Sequence, residues 1–394
     1  MKALFTIIRN EDGPLSKSFT LRDGKLIKTA AADLVRGVAR KTDIEGIHDL
    51  NRVISRLGTS EALTFGVTGF EHAKIVTQKA MKAGASGVIC RDRKHFRWPD
   101  GRGVLMLDID KPKEGEPLKA SEFDAVLCDV LPWWLGTARM FRPSASAFIS
   151  DSETGEIYTG LGSLRCYAII DKAENIPFVG VAIVDALWKA GYGRIEFSAA
   201  GSMLVRCLVD DAVWQPERLD FAGPAIIGKG LHQEHFKSKI VDGADIASEA
   251  AIEAGPGKIT LAAWRAKSEE VNAARASSGH EEKVRRRRYI EGRIKDEIKG
   301  GGDALAVRQK WLSALADRTL PGDFVLHFRD KGDRTVSEVL ANPSAFDLER
   351  LADPGEPSYA NDPRIAQFYW NNGRPQIHSH AHGGCKYFLE MRSV

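Results

Sequence analysis

The run GVLMLDID at residues 103–110 constrains the fold of this chain more than any other stretch. Four large apolar residues come directly before two carboxylates, Asp108 and Asp110. Such a run predicts a strand that is buried on both faces, in the middle of a sheet. Because side chains alternate along a strand, the two acids point to the same face, where like charges repel. The pair therefore indicates either a bound cation or a strand end whose counter-ions are Lys111 or Lys113.

Composition and charge restrict the class of protein. The 394 residues suffice for two or three domains, and 43% of them are hydrophobic, enough to fill a core. The net charge of +3 points to no particular partner. The five cysteines are scattered without a CxxC pair, which argues against a disulfide framework or a zinc knuckle. No apolar segment reaches membrane-spanning length, so we expect a cytoplasmic protein with no membrane partner.

The order of the predicted elements indicates an α+β fold. We expect strands and a hairpin in residues 1–30, helices at about 30–57 and 71–85, and a long polar helix from Leu261 to about Lys299. A glycine-rich break then precedes a compact final unit. Three domains are predicted: a catalytic domain at residues 1–236, a basic helical connector at 237–302 and a small C-terminal α+β domain at 303–394.

Three apolar strands of the first domain are predicted to end in aspartate. Besides the DID run, CYAIID ends at Asp171, and LVRCLVDD ends at Asp210 and Asp211. Nucleotidyl transfer with two divalent ions needs about three carboxylates around ions that lie roughly 4 Å apart, so these acids suggest such a site. Arg206, inside the last apolar strand, also predicts a charged partner, because an unpaired charge there is costly.

A hydroxyl and a guanidinium lie two residues apart in the strand SLRCYAII. Ser163 and Arg165 would share one face of this strand. The planar fork of arginine matches phosphate oxygens, so the pair suits a triphosphate. The alternative is that Arg165 forms a cross-strand salt bridge with a neighbouring acid, and the sequence leaves both interpretations open.

The order of DID, SLR and VDD resembles the three motifs of the archaeo-eukaryotic primase superfamily, which are a DxD, an SxH and an apolar element ending in Asp. Long stretches are similar to the primase-polymerases of plasmids, phages and integrated elements. They are RDRKHFRWPDGRGVLMLDID, RPSASAFI, SAAGSMLVRCLVDDAVWQPERLDFAGPA and TVSEVLANPSAFDLERLADPGEPSYANDPRIAQFYWNNGRPQIHSHAHGG. Together they span most of the chain outside residues 240–300.

The resemblance implies a primase-like core, a mixed sheet with flanking helices, that binds two Mg²⁺ or Mn²⁺ ions. The acids that match its metal ligands are Asp108, Asp110 and Asp210, with Asp171 as a weaker match. The residues that match or adjoin its nucleotide-binding elements are Ser144, Ser146, Ser163 and Arg165, to which we add Arg206. Arg165 stands where the family has histidine, so it either takes over the contact to the triphosphate or marks a chain that binds nucleotides poorly.

The basic run KVRRRRYIEGRIKDEIK has two interpretations. It is either a solvated helix face or a surface that contacts DNA phosphates, and in a protein that holds a template we favour the second. The residues concerned are Arg285, Arg286, Arg287 and Arg288. No P-loop motif occurs, so a replicative helicase, which relatives often carry, is either a separate partner or absent.

The run IHSHAHGG suggests a metal site that we do not favour. His378, His380 and His382 would line one face of a strand, but the aspartate of metallo-hydrolase motifs is absent. We expect a structural strand, or at most an adventitious metal site.

The sequence thus predicts an enzyme, a nucleotidyltransferase that acts as a DNA primase, and as a DNA polymerase if it also extends its primers. Its partners are single-stranded DNA and NTPs or dNTPs. Two alternatives stay open: a non-catalytic replication protein that binds single-stranded or origin DNA, and a nuclease or end-joining nucleotidyltransferase that uses the same acids.

Overall fold

The structure is a computed structural model that describes residues 2–109, 116–234, 237–254, 261–300 and 303–390. Its strands, numbered along the chain, are β1 (Ala3–Asn10), β2 (Leu15–Arg22), β3 (Lys25–Ala32), β4 (Arg36–Ile44), β5 (Glu61–Thr64), β6 (His72–Val76), β7 (Gly103–Ile109), β8 (Arg139–Pro143), β9 (Ile149–Asp151), β10 (Ile157–Thr159), β11 (Leu164–Ile170), β12 (Arg194–Phe197), β13 (Met203–Arg206), β14 (Ile226–Ile227), β15 (Leu231–Gln233), β16 (Lys239–Val241), β17 (Thr319–Leu320), β18 (Val325–Phe328), β19 (Gly332–Thr335), β20 (Arg350–Leu351), β21 (Ala366–Tyr369), β22 (Gln376–Ser379) and β23 (Cys385–Leu389). Its helices are α1 (Ile47–Ile54), α2 (Gln78–Lys82), α3 (Ala120–Val130), α4 (Ile176–Lys189), α5 (Ser248–Ala254), α6 (Leu261–Glu297), α7 (Ala304–Leu312) and α8 (Val336–Ala341).

The chain divides into two compact units. The first comprises Met1–Gly193 and Cys207–Glu269, and the second comprises Arg194–Arg206 and Glu270–Val394. Both contain strands and helices, so the predicted α+β class is confirmed. The division differs from the predicted boundaries at residues 236 and 302, because part of α6 and the β12–β13 hairpin belong to the second unit. None of the helices in the described ranges has the length and apolar character needed to cross a membrane.

The described residues of the first unit form four sheets, of which one positions the candidate site. Their strand orders are β5-β1-β4-β6, β14-β2-β3, β10-β9-β15 and β16-β8-β11-β7. Neighbouring strands of the last sheet are all antiparallel. In β7, residues 104–107 are each no more than 5% exposed, and every residue of β11 is buried. The prediction of a buried strand that leads into Asp108 is therefore confirmed.

Gly180 in α4 allows the ring of Trp214 to lie directly against this helix. A Cβ atom added at Gly180 would overlap the ring carbons of Trp214. The Trp214 side chain is also fixed from the other side, because its indole N–H donates to the carbonyl oxygen of Met106 in β7 at 2.9 Å. The glycine thus lets α4 pack close to the segment that carries Trp214.

We expect Gly180→Ala to lower the free energy of unfolding, although alanine is the better helix former by about 1 kcal/mol. The added methyl group overlaps a ring that cannot move away, and overpacking a core costs about 1–3 kcal/mol. Calorimetric unfolding measures the change. Gly292→Ala in α6 is the matched control, because an added Cβ there meets nothing within 4 Å and should stabilise slightly. Equal effects of the two substitutions would contradict the packing argument.

The second unit is built on a seven-stranded sheet with the order β17-β23-β22-β21-β20-β18-β19. Its core takes Ile290 and Ile294 from α6, Trp311 from α7, and Phe368 and Tyr387 from the sheet. The Tyr289 ring packs edge-on against Trp311, with ring centroids 5.9 Å apart. The C-terminal part of α6 is therefore an integral part of this unit.

The predicted helix at residues 71–85 is wrong over its first half. His72–Val76 form β6, which pairs with β4, and only Gln78–Lys82 are helical. The region at about 30–57 likewise contains β4 before the short helix α1. In both places pairing with a distant strand overrides the local helical spacing. A short window of sequence contains no information about such pairing.

The three histidines of IHSHAHGG do not line one strand face. β22 ends at Ser379, which pairs with Cys385 of β23, so the chain must turn between them. His380 and His382 lie in this turn, and His382 has a left-handed backbone with φ of 57°. The predicted strand is therefore wrong beyond Ser379.

Candidate functional site

The predicted motifs of the first unit meet at one edge of the β16-β8-β11-β7 sheet. Arg165 in β11 lies opposite Asp108 in β7 on one side and opposite Arg142 in β8 on the other. Because the strands are antiparallel, the end of β7, the start of β11 and the end of β8 lie side by side. Ser163 directly precedes β11 and reaches the same edge.

Asp210 is attached to this edge by the main chain. Its N–H donates to the carbonyl oxygen of Asp108 at 2.9 Å, and four residues later Trp214 donates to Met106 in the same strand. The Asp210 carboxylate accepts a hydrogen bond from the N–H of Ala212 at 2.9 Å, which fixes its orientation. Two acids from separate motifs therefore lie next to each other.

The donor set at this edge suits a hard divalent cation, because carboxylate oxygens are the ligands that Mg²⁺ and Mn²⁺ prefer. Asp108 and Asp210 are the acids whose main chains the structure joins. Asp110, the predicted partner of Asp108 in the metal-binding pair, lies outside the described residues. Among the residues that are described, no three His, Cys, Asp or Glu side chains form a group that could hold a metal ion.

Asp171, the weaker metal candidate, lies at the opposite end of β11. It follows Ile170, which pairs with Gly103 at the start of β7. At about 3.3 Å per residue this is roughly 20 Å from Asp108. The Asp171 carboxylate accepts a hydrogen bond from the N–H of Ser248 at 2.9 Å. Burial raises the pKa of Asp171, but the bonds from Ser248 outweigh it and the pKa is lowered, so Asp171 serves to anchor the start of α5.

The serine-rich element lies beside Ser163. The N–H of Ser144 donates to the carbonyl oxygen of Ser163 at 2.9 Å. The hydroxyl oxygens of Ser144 and Ser146 are 2.8 Å apart, within hydrogen-bond distance. Ser144 is buried, whereas Ser146 and Ser163 are partly exposed. Two hydroxyls with access to solvent therefore accompany the acids at this edge.

Arg165 lies in a buried ion pair. Its side chain is 7% exposed, and Nη1 is 2.7 Å from Oδ1 of Asp220. The same nitrogen donates to the carbonyl oxygen of Phe221 at 2.8 Å. The hydroxyl of Tyr167 donates to the other carboxylate oxygen of Asp220 at 2.8 Å. This arrangement matches the salt-bridge interpretation of Arg165, with Asp220 as the acid.

Electrostatics favours the charged form of Arg165. Burial lowers the pKa of Arg165, but the charge of Asp220 outweighs burial, and the pKa of the guanidinium is raised. The charge of Asp108 acts in the same direction as that of Asp220. Burial raises the pKa of Tyr167 well above its usual value, so its hydroxyl keeps the proton that it donates to Asp220. Arg165 therefore balances negative charge within the sheet.

Arg206 and the basic run lie in the second unit. Arg206 is opposite Arg194 in the β12–β13 hairpin, so the register supplies no acid to it at that position. Because the other nucleotide-contact candidates lie in the first unit, we leave Arg206 out of the proposed site.

The four arginines of the basic run differ in their surroundings. Arg285 forms an ion pair with Glu281 at 2.6 Å, and its guanidinium lies 5.1 Å from the ring centre of Phe197. Arg286 is half-buried and pairs with Glu282. The remaining two, Arg287 and Arg288, are exposed, and no ion pair joins them to any described residue.

Sequence reasoning missed three residues that build the site. Asp220 lies in RLDFAG, within a stretch used for the resemblance, but none of the three motifs includes it and only its pairing with Arg165 reveals its role. Trp214 is part of a stretch used for the resemblance, but its bond to β7 was not foreseen. Arg218 is 44% exposed and lies 3.9 Å from Oδ2 of Asp210, which places a cation beside the acids.

No protein-family model, no curated protein and no solved structure matches this chain. The function of the site must therefore be argued from its geometry and from the motifs themselves.

Proposed function

We propose that the first unit catalyses template-directed nucleotidyl transfer on single-stranded DNA, with Mg²⁺ or Mn²⁺ and with NTPs or dNTPs as substrates. The protein would act as a DNA primase, and as a polymerase where it extends its primers, in the replication of a plasmid, phage or integrated element. The observation that carries this proposal is the main-chain hydrogen bond from Asp210 to Asp108, which joins acids of two motifs that are far apart in sequence.

Each residue at the sheet edge has a role in this reaction. Asp108 and Asp110, the predicted pair, would hold the ions together with Asp210, the predicted third acid. When bound, two ions lower the pKa of the attacking hydroxyl and offset the charge on the leaving pyrophosphate. Ser163 and Ser146 would donate hydrogen bonds to phosphate oxygens.

Arg218 takes over the positive charge that we expected Arg165 to supply. Its side chain is 44% exposed and lies next to Asp210, whereas that of Arg165 is 7% exposed and already paired. An exposed guanidinium can turn towards a triphosphate without leaving a buried acid unpaired. We therefore assign the phosphate contact to Arg218 and a structural role to Arg165.

The proposed function is tested by assaying the synthesis of new primers on unprimed single-stranded DNA. The protein is incubated with single-stranded DNA, labelled NTPs or dNTPs, and Mn²⁺, and the products are separated by length. We expect oligonucleotides that depend on the template. Absence of product with every nucleotide set, together with intact DNA binding, would contradict the proposal.

A second candidate function is that of a non-catalytic replication protein that binds single-stranded or origin DNA. The observation in its favour is that the residue in place of the motif histidine, Arg165, is held by Asp220. The two functions differ in nucleotide binding. A ligand that binds only the folded state raises the melting temperature, so millimolar nucleotide with Mn²⁺ should stabilise the enzyme and leave the non-catalytic protein unchanged.

Replacing Arg287 and Arg288 with Gln should weaken binding to single-stranded DNA and flatten its salt dependence. Each lost phosphate contact removes about 0.7 from the slope of log K against log salt, so the double variant should lose roughly 1.4. Fluorescence anisotropy at several salt concentrations measures the slope. An unchanged slope would show that the basic run is a solvated helix face that does not contact DNA.

The matched control is the double replacement of Arg285 and Arg286 with Gln. Because Glu281 and Glu282 already pair with these side chains, the slope should change less than in the first variant. If the slope falls more in this control than in the first variant, the DNA contact is made by Arg285 and Arg286 instead.

A further inference from the structure

The seven-stranded sheet of the second unit has two unlike faces. One face carries Phe328, Phe368, Ile377 and Tyr387, which pack with residues of α6 and α7 in the core of the unit. Because side chains alternate along a strand, the residues between these point to the other face. On β21, β22 and β23 that face consists of six residues, none of them buried: Gln367, Tyr369, Gln376, His378, Lys386 and Phe388. We call these six residues the open face.

The strand register arranges the open face in two rows. Gln376 lies opposite Phe388 on one side and opposite Tyr369 on the other, so that an amide separates two aromatic residues. In the second row His378 lies opposite Lys386. Neighbouring strands lie about 4.8 Å apart, so the two aromatic residues are separated by roughly 10 Å across the sheet.

Both aromatic side chains of the open face are accessible, and one is held in a fixed orientation. Phe388 is 52% exposed, although β23 is paired on both sides, with β22 and β17. The partly exposed ring of Tyr369 packs edge-on against that of His378, with centroids 6.1 Å apart, and its hydroxyl donates to Oε1 of Gln367 at 2.8 Å. The side-chain amide of Gln376 forms no hydrogen bond with the described residues. The face therefore offers two rings with a hydrogen-bonding group between them.

The open face and its border carry more positive than negative charge. Lys386 is exposed, and so is Arg374 in the loop between β21 and β22. Neither of them forms an ion pair with a described residue. Burial and the charge of Lys386 both lower the pKa of His378. The nearest acid along β23 is Glu390, one residue beyond the end of the strand. The charges therefore favour an anionic ligand.

We propose that the open face binds single-stranded DNA, with bases stacked on the rings of Phe388 and Tyr369. Lys386 and Arg374 contact the phosphates, and the amide of Gln376 forms hydrogen bonds with the edge of a base between the rings. The inference goes beyond the function proposed for the first unit, because it adds a binding surface that takes no part in catalysis. Only the choice of DNA over RNA rests on that function, whose template is single-stranded DNA.

The chemistry of the open face favours a single strand over a double helix or a protein. Unpaired bases can lie flat on aromatic side chains, and common nucleic-acid-binding modules use exposed rings on a sheet in this way. In a double helix the faces of the bases are covered by their neighbours. The core of a protein–protein interface is depleted of charged residues, whereas the two rings here are separated by an amide and lie beside cations.

Binding of two oligonucleotides to the full chain tests the inference by fluorescence anisotropy, without nucleotides or metal. One is a dT strand of about 10 nucleotides, and the other is an abasic strand of the same length. Phe388→Ala should weaken binding of the dT strand about 5- to 150-fold, because stacking on the ring is lost. Binding of the abasic strand should not change, because it has no bases to stack.

Three further variants complete this experiment. Phe388→Trp should bind the dT strand at least as tightly as the wild type, because the indole also stacks on bases. Lys386→Gln should reduce the slope of log K against log salt by about 0.7 for both strands, because one phosphate contact is lost. Leu305→Ala is the matched control, since it removes another apolar side chain, 62% exposed, from α7 and should change neither affinity.

Two outcomes would overturn the inference: equal affinity of wild type and Phe388→Ala for the dT strand, or an equal loss of affinity for both strands. If Phe388→Ala does not fold, Phe388→Leu replaces it with the same expectation, because it keeps an apolar side chain but has no ring. Tighter binding of an RNA strand of the same length by the wild type would overturn the choice of DNA. A protein that stacks bases in this way but makes no primers would contradict the proposed function alone.

Discussion

Asp108→Asn is expected to abolish template-directed synthesis while the fold survives. Asparagine has the shape of aspartate, so it leaves no cavity at the end of β7, but it removes the charge that a divalent ion requires. Loss of several kcal/mol of transition-state stabilisation lowers the rate by at least about a hundredfold. Primer synthesis on unprimed DNA measures the rate, calorimetry checks the fold, and binding of Mn²⁺ followed by its paramagnetic resonance reports the site without turnover.

Asp171→Asn is the matched control for this prediction. It makes the same chemical change at the opposite end of β11, where the carboxylate accepts the N–H of Ser248 at the start of α5. We expect full synthesis and little loss of stability, because asparagine caps helices about as well as aspartate and its amide oxygen can still accept this N–H. Synthesis at the wild-type rate by Asp108→Asn, or equal losses in both variants, would show that the acids at this sheet edge do not bind the catalytic metal.

Arg165→Ala is expected to lower the free energy of unfolding by about 3–5 kcal/mol, the usual cost of removing one partner from a buried ion pair. The Asp220 carboxylate, 1% exposed, would be left without its cation. The nucleotide KM of the protein that remains folded should change little. If Arg165 instead contacts the triphosphate, KM should rise about ten- to a hundredfold with little loss of stability.

The double variant with Asp220→Ala separates the two possibilities. If Arg165 and Asp220 act as a pair, the two losses of stability should not add, because the second substitution removes the charge left by the first. Arg218→Ala is the complementary control, since its exposed side chain should affect KM more than stability. A stable Arg165→Ala protein with a raised KM would show that our assignment of these two arginines is reversed. Urea denaturation and steady-state kinetics provide both quantities.

The buried strands of the first unit could be predicted because their signal is local. The runs in β7 and β11 are long, apolar and rich in branched residues, and they are strands over nearly the predicted ranges. To predict that Asp108 and Asp210 lie close together, the motif resemblance was needed in addition. Sequence spacing alone does not show which residues of different elements become neighbours. The role of Asp220 could not be foreseen, since one aspartate in a loop looks like any other until its partner is located.

The failures at β6 and His382 have a common physical cause. The sequence of β6 has helical spacing, but its backbone hydrogen bonds are made with β4. The alternating histidines have strand spacing, but the pairing of Ser379 with Cys385 forces the chain to turn. Long-range pairing decides both cases, and local pattern carries no information about it.

The interleaved order of the two units affects how this protein can be divided or exchanged. The chain leaves the first unit after Gly193, contributes one hairpin to the second, and returns at Cys207 before leaving again after Glu269. No single cut therefore separates the units, and a fragment that begins at residue 270 would lack the hairpin whose Ala200 N–H is bonded to Glu356. Recombination that swaps only the stretch from residue 270 onwards would separate Glu356 from the hairpin to which it is bonded. Only a replacement that carries residues 194–206 together with the C-terminal stretch transfers the second unit intact.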